Sequence, residues 1–410
     1  MREEWKEVEI GEVITTKKGY AFKSQWYLPK GRPIVRVSDF TDDSISTTDI
    51  KYIDQDLAQT LIQYKLDFKD VIIQTVGSWQ HNPASIVGKV IKVPKELKNA
   101  LLNQNAVKLV PNSKIDKSFL YFRLRDESFK FHNLNFAQGA ANQASITLDT
   151  IKRFKISLPN LETQQKIASI LSGYDDLIEN NLKRIKLLEE IAKQTYEEWF
   201  VRMRFPGYET AVINEVSGLP AGWELKTLNE VSVINAKSIK KDFEGYIKYI
   251  DIASVSTKNI DYTTDYEISL APGRAKRIVR HGDIIWSCVR PNRRSYSLIW
   301  NPDVNTIAST GFCVITPVSI PSSYLYQLLT TDSFVGRLTS LAGGAAYPAV
   351  KAEDFANSEI ILPNKVLLEK YHKISEPNLD VISNLKIQNR RLKEARDILL
   401  PRLMTGIIKV

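Results

Sequence analysis

The sequence predicts an α+β protein with an internal pseudo-two-fold repeat: two β-rich globular units joined by two long antiparallel coiled-coil helices. Three observations carry that prediction. First, residues 5–204 and 223–410 read as two copies of one module. Trp5-Lys-Glu-Val-Glu-Ile10 is answered by Trp223-Glu-Leu-Lys-Thr-Leu228, Gly139-Ala-Ala141 by Gly344-Ala-Ala346, and Leu158-Pro-Asn160 by Leu362-Pro-Asn364. A repeat that long exceeds the roughly 20–50 residues of a solenoid unit and implies two whole domains. Second, each copy begins with short β-rich runs punctuated by Gly, Pro and Asn. Third, each copy ends in a heptad-like apolar seam.

In order along the chain, strands are expected at Pro33–Val37, Asp70–Ile73, Ile86–Val93 and Ala106–Val110, followed by one helix over 117–131. The second copy repeats them at Ile247–Ile250, Asp283–Trp286 and Phe312–Ile315, with a helix near 322–340. From Thr163 to about Arg204 the seam runs through Ile167, Leu171, Tyr174, Ile178, Asn181, Ile185, Leu188, Ala192, Thr195 and Trp199. Its steps alternate four and three, as in a coiled coil. The second seam is Ile382, Leu385, Leu392, Leu399 and Leu403, interrupted by Asn389 and Arg396. Pro377 marks its start, because proline opens a helix but breaks its interior. The expected division is 1–160, helix 161–204, connection 205–222, second unit 223–362 and helix 363–410.

Composition sets limits on function. The N-terminus has no apolar signal core, and no apolar run approaches the roughly 20 residues of a membrane span, so a cytoplasmic protein without membrane contact is expected. The two cysteines, Cys288 and Cys313, suit reduced core thiols. Net charge is +9, and basic side chains concentrate at Arg274, Lys276, Arg277, Arg280, Arg290, Arg293 and Arg294, with Asp283 the one acid within 274–294. A basic cluster on a near-neutral unit suits a nucleic-acid contact, although such runs also occur as plain solvated faces.

No catalytic constellation is visible. The four histidines lack partners at metal-ligand spacing, and there is no glycine-rich phosphate loop or nucleophile elbow. Asn82-Pro-Ala84 and Asn301-Pro-Asp303 both lack the second proline of an amino-methyltransferase tetrapeptide. These absences favour a binding protein with no catalytic residues, metal or cofactor of its own.

Two loops per copy carry residues suited to base edges and phosphates. In the first copy, Gln74-Thr-Val-Gly-Ser-Trp-Gln-His-Asn82 supplies Ser78, Trp79, Gln80, His81 and Asn82. Gln and Asn amides can pair bidentately with adenine. The small-residue loop Phe136–Gln143 adds Gln138, Asn142 and Gln143, and Lys17, Lys18, Tyr20 and Arg36 complete this DNA-contact set. In the second copy, Ser287–Tyr296 supplies Arg290, Asn292, Arg293, Arg294 and Tyr296; arginine suits guanine or phosphate. Arg274, Lys276 and Arg277 add charge, and Leu341–Pro348 adds Gly344 and Tyr347. Trp79 and Trp286 also read as core residues, and each small-residue loop as a tight turn. Matching strands around unlike loops suggest one scaffold with two specificities.

The junctions Ile156-Ser-Leu-Pro-Asn-Leu-Glu-Thr-Gln-Gln-Lys-Ile167 and Ile361-Leu-Pro-Asn364, with Tyr196-Glu-Glu-Trp-Phe200, Phe205-Pro-Gly207, Gly218-Leu-Pro-Ala-Gly-Trp223 and Leu399-Leu-Pro-Arg-Leu-Met-Thr-Gly406, complete a pattern. In order and spacing, the chain resembles the specificity subunits of type I restriction–modification systems over nearly its whole length. Val366, Leu367 and Leu368 depart from the polar residues usual at the second junction. The resemblance implies two target recognition domains, each reading half of a bipartite site on double-stranded DNA. It also implies spacer helices that bind two methyltransferase (modification) subunits, with restriction/translocase subunits joining the complex. S-adenosylmethionine, ATP and Mg would then belong to those partners. Two other readings stand beside it: a non-specific nucleic-acid-bridging architectural coiled coil, and an enzyme with an unrecognised nuclease site.

Overall fold

A computed structural model describes residues 5–41, 43–79, 85–140, 143–240, 242–344 and 347–410. It divides into two compact units, the first built from two stretches of chain and the second from one. The first comprises Met1–Glu179 with Arg390–Val410; the second is Asn180–Asn389.

In the first unit, a four-stranded antiparallel sheet runs in the order Ile14–Lys18, Ala106–Pro111, Val71–Gln74 and Val90–Lys92. Val71, Ile72 and Ile73 are fully buried, so this central strand reads as an unbroken apolar run rather than an alternating one. Beside it, Arg32–Val35 pairs antiparallel with Lys51–Ile53 and parallel with Leu101–Leu102. Lys6–Glu9 closes the domain against Lys155–Leu158.

The second unit repeats this topology. Its four-stranded sheet is Ser232–Ile234, Phe312–Pro317, Ile284–Ser287 and Tyr296–Leu298, and Glu224–Thr227 pairs with Glu359–Leu362. Tyr246–Ile250 again has an antiparallel neighbour, Thr264–Glu267, and a parallel one, Thr306–Ser309. Among the described residues that sheet has four strands where the first unit's has three, the fourth being Ala275–Ile278.

Each single helix expected after the strands is in fact two. Lys117–Leu124 gives way to Glu127–Phe136, and Ser322–Leu329 to Asp332–Leu341. Asp126 and Thr331 accept hydrogen bonds from the backbone amides of Ser128 and Phe334, restarting the helix as N-caps. The apolar periodicity continues through the break and hides it.

The long helices are Leu161–Tyr196, extended by a π turn at Glu197–Val201, and Lys365–Met404. The Leu-Pro-Asn junctions are their caps: the Asn160 and Asn364 side-chain oxygens accept from the amides of Thr163 and Leu367. The expected start near Pro377 is wrong, because Pro377 lies inside the second helix. Its missing N–H loses one helical bond, but the ring sits on the solvent face. Leu367, Leu368 and Tyr371 before it, and Ile382 and Leu385 after it, are all buried and hold the helix together. Leu367 and Leu368 therefore have a packing reason to be apolar, whereas Val366 is exposed.

Within the first unit, Ile167, Ala168 and Leu171 share a core with Leu400, Leu403 and Met404. Within the second, Ile185 and Leu188 pack with Ile382 and Leu385. Early residues of one helix meet late residues of the other, so the pair is antiparallel. The segment 205–222 is no free tether: Phe205 and Leu219 are buried in the second unit's core, and Phe205 lies 5.4 Å from the Trp223 ring. No helix among the described residues is long and apolar enough to cross a membrane.

Candidate nucleic-acid interface

The two candidate loops of each copy, far apart in sequence, are hydrogen-bonded to each other. In the first unit, Gln138–Ala140, Gln143–Ser145 and Val76–Gly77 form one three-stranded sheet. Ile146 N–H donates to the Thr75 carbonyl at 2.9 Å, and the Trp79 indole N–H to the Ala140 carbonyl at 3.0 Å. In the second unit, Val350 N–H donates to the Cys288 carbonyl at 2.9 Å, and Arg290 N–H to the Pro348 carbonyl at 2.7 Å. These bonds align Thr75 with Cys288, Val76 with Val289 and Gly77 with Arg290. One frame thus carries glycine in one copy and arginine in the other.

Glycine is required where it stands. A Cβ on Gly77 would lie 2.4 Å from the Ser85 carbonyl oxygen, and one on Gly139 (φ 150°) would lie 2.0 Å from that of Gln143. Both are closer than atoms can approach. Gly344, which answers Gly139 in the second copy, stands at φ 99°, where glycine is likewise favoured.

On the first unit's surface, Lys17, Lys18, Gln138 and Gln143 are exposed. Trp79 is half-buried against the core, so its indole fastens two loops rather than standing free for stacking. Ser78 is buried, with its hydroxyl 2.9 Å from that of Ser85. Tyr20 belongs to an aromatic group with Phe22, Trp26 and Tyr64. Arg36 is committed elsewhere: its guanidinium lies 2.6 Å from Asp39 and donates to the Asp49 carbonyl. Gln80, His81, Asn82 and Asn142 lie outside the described residues.

On the second unit, Arg274, Lys276, Asn292, Arg293, Gly344 and Tyr347 are exposed. The additional strand carries two of the basic residues, Lys276 and Arg277, with Arg274 just before it, and its pairing slips between Ala275 and Arg277, making Lys276 the bulged residue. Arg277 is half-buried and reaches the Ser238 hydroxyl at 3.5 Å. Burial pushes the Cys288 thiol up to about 11, with Arg277 pulling the other way. That cysteine is therefore a neutral packing residue.

Two residues of this loop do other work. Tyr296 is fully buried, 5.0 Å from the Trp286 ring, itself a core residue that donates to the Leu329 carbonyl. Arg294 is ion-paired to Asp332 at 2.5 Å. The pair joins the loop to the helix Asp332–Leu341, whereas charge alone suggested a free contact. Arg290 lies over the Tyr347 ring, 4.2 Å from its centroid.

A third loop escaped sequence reasoning. Asn103-Gln104-Asn105 separates the strands Leu101–Leu102 and Ala106–Pro111. The Gln104 amide donates to the Tyr20 carbonyl, and the Asn105 carbonyl accepts from Thr75. Lys18, Thr75, Gln104 and Thr147 line one groove of about 380 Å³. The signal was a polar triplet between two β-rich runs. Its counterpart, Ser309-Thr310-Gly311, bonds to Arg274 on one side and Cys288 on the other.

The type I restriction modification DNA specificity domain family matches this chain twice, at residues 2–190 and 220–394. The MjaIX specificity subunit of Methanocaldococcus jannaschii is 26% identical over 322 residues, 75% of this chain and 73% of that protein. The HindI specificity subunit of Haemophilus influenzae is 24% identical, covering 78% and 84% of the two chains. The type I restriction-modification S subunit from M. genitalium shares the fold, with a TM-score of 0.57 over 98% of this chain and 96% of that one at 17% identity.

Proposed function

The chain belongs to the type I restriction–modification DNA specificity family, and from that premise we propose that its two β-rich units read the two halves of one split DNA site. The observation that carries this reading is the shared loop frame. Equivalent backbone bonds, Ile146 to Thr75 and Val350 to Cys288, hold first loops of unlike sequence, Gly-Ser-Trp-Gln-His-Asn at 77–82 against Arg-Pro-Asn-Arg-Arg-Ser at 290–295. A conserved frame with unlike tips is how one scaffold produces two sequence preferences. The doubled family match favours this reading over a non-specific architectural coiled coil.

The long helices supply the second part of the proposal. Their buried seam is used within the pair, yet Leu177, Leu182, Leu187 and Ile191 on the first helix and Val366, Ile374 and Ile398 on the second are exposed. Exposed apolar residues along amphipathic helices suit docking of further helices. We assign this surface to two modification subunits, with restriction/translocase subunits entering through them. The chain itself is non-catalytic in this reading, its complex is cytoplasmic, and S-adenosylmethionine, ATP and Mg act on the partners.

The test is a purified complex with the modification subunit, measured on duplexes carrying candidate sites. Protection of one split sequence is expected, weakened by about 1–3 kcal/mol for each base changed. Salt-sensitive binding with no sequence preference would refute it.

A further inference from the structure

The second unit's loop contains one arginine that is neither spent in an ion pair nor loose in solvent. Arg294 is neutralised by Asp332. Arg293 and Asn292 are exposed on the short turn Pro291–Arg293. Arg290 differs from both. Its backbone is in the left-handed region at φ 51°, fixed by the bond from its N–H to the Pro348 carbonyl. Its guanidinium rests on the Tyr347 ring at 4.2 Å, and among the described residues it has no ion-pair or hydrogen-bond partner.

A guanidinium stacked on an aromatic ring uses its face and leaves its N–H donors free at the edge. That edge is the fork that matches guanine O6 and N7. Stacking also removes rotamer freedom before binding, so less entropy is lost when the base is engaged. From these contacts we infer that Arg290 reads a guanine in the half-site of the second unit, and that Tyr347 is its positioning residue. The inference rests on the split-site reading above and adds the base, the residue and its support. It also fixes an asymmetry. Arg290 aligns with Gly77, where a side chain would collide with the Ser85 carbonyl, so the first unit has no reader at that position.

The experiment uses the chain assembled with its modification subunits, selecting from duplexes randomised over both half-sites. Wild type, Arg290→Ala, Arg290→Lys, Tyr347→Phe, Tyr347→Ala and Arg293→Ala are compared. Wild type is expected to select a split sequence containing one guanine whose preference falls about tenfold or more in Arg290→Ala, with the other half unchanged. Arg290→Lys recovers charge but only part of the preference, and Tyr347→Phe keeps it where Tyr347→Ala weakens it. Replacing the selected guanine by 7-deazaguanine costs wild type and spares Arg290→Ala. Arg293→Ala lowers affinity for all sequences alike.

A wild type that selects a split site while Arg290→Ala retains every base preference overturns the assignment to Arg290 and leaves the split-site reading standing. A wild type that selects no split sequence removes both. Equal weakening for all sequences in Arg290→Ala makes Arg290 a phosphate contact and refutes the inference.

Discussion

Asn181 donates its side-chain amide to the carboxamide oxygen of Asn389 across 3.0 Å, and both side chains are buried. In sequence each looks like a separate fault in an apolar seam. In the structure they are one hydrogen bond, placed where only one register of the two helices brings them together. A buried polar pair in a coiled coil selects register at some cost in stability.

Asn181→Leu alone should therefore destabilise the chain by about 1–3 kcal/mol, because it leaves the Asn389 amide buried without its partner. Replacing both by leucine should recover most of that loss, or exceed wild type, while loosening register and promoting self-association. Denaturant midpoints of the two single variants and the double variant, completed as a cycle, measure the coupling. Purely additive losses would mean the bond does not form in solution.

The other interruption, Arg396, is also a partnered group. Its side chain is 4% exposed and binds Asp175 at 2.8 Å, with Asp43 at 3.4 Å. Asp43 also meets Arg125 at 2.7 Å and Lys393 at 2.9 Å. Arg396→Met should cost about 1–3 kcal/mol, since it removes charge-assisted hydrogen bonds from half-buried Asp175 and Asp43, while Lys92 still pairs with the first and Arg125 and Lys393 with the second. The pH dependence follows from Asp43. Burial pushes its carboxyl up, but Arg125, Lys393 and Arg396 outweigh burial and hold it well below the ordinary carboxylate range. A depressed acid stabilises the fold above its unfolded value of about 3.9 and loses that contribution as pH falls through the folded value. Urea midpoints should therefore drop on acidification below about pH 4, and the drop should shrink in Asp43→Asn.

These seam residues show where sequence reading succeeds and where it stops. Periodicity alone placed Ile167, Leu171, Ile178, Ile185, Ile382 and Leu385 in the interior, because burial of an apolar face repeats locally. It could not pair Asn181 with Asn389 or Arg396 with Asp175, since those partners lie 208 and 221 residues apart. The candidate site divides the same way. Loop composition pointed to 74–82 and 287–296, but Arg36 is taken by Asp39, Arg294 by Asp332 and Tyr296 by the core. Pro377 misled for an energetic reason: one missing helical bond is a local penalty, and the packing on both sides of it is not local.

The first unit's loop frame can be broken by one methyl group. Gly139→Ala forces a Cβ toward the Gln143 carbonyl at φ 150° and should open the strand pair Gln138–Ala140 and Gln143–Ser145. Binding to half-site variants should then show lost discrimination in the half read by the first unit only. The Arg290–Tyr347 loop of the second unit is untouched by this change. Equal loss in both halves would contradict independent reading.

Charge on the additional strand should behave differently from charge in the loops. Arg274 and Lys276 are exposed on or beside Ala275–Ile278, which has no counterpart strand among the described residues of the first unit. Exposed cations of this kind meet phosphates, which carry no sequence information. Replacing both by glutamine should weaken binding to every sequence by a similar factor. If each contacts one phosphate, the slope of log affinity against log salt should flatten by about 0.9 per contact. Arg294 is the control: it is already paired with Asp332, so Arg294→Gln should disturb the loop's attachment to the helix Asp332–Leu341 and leave the salt slope almost unchanged. A steeper change in slope for Arg294→Gln than for the Arg274 and Lys276 pair would reverse this assignment of charges.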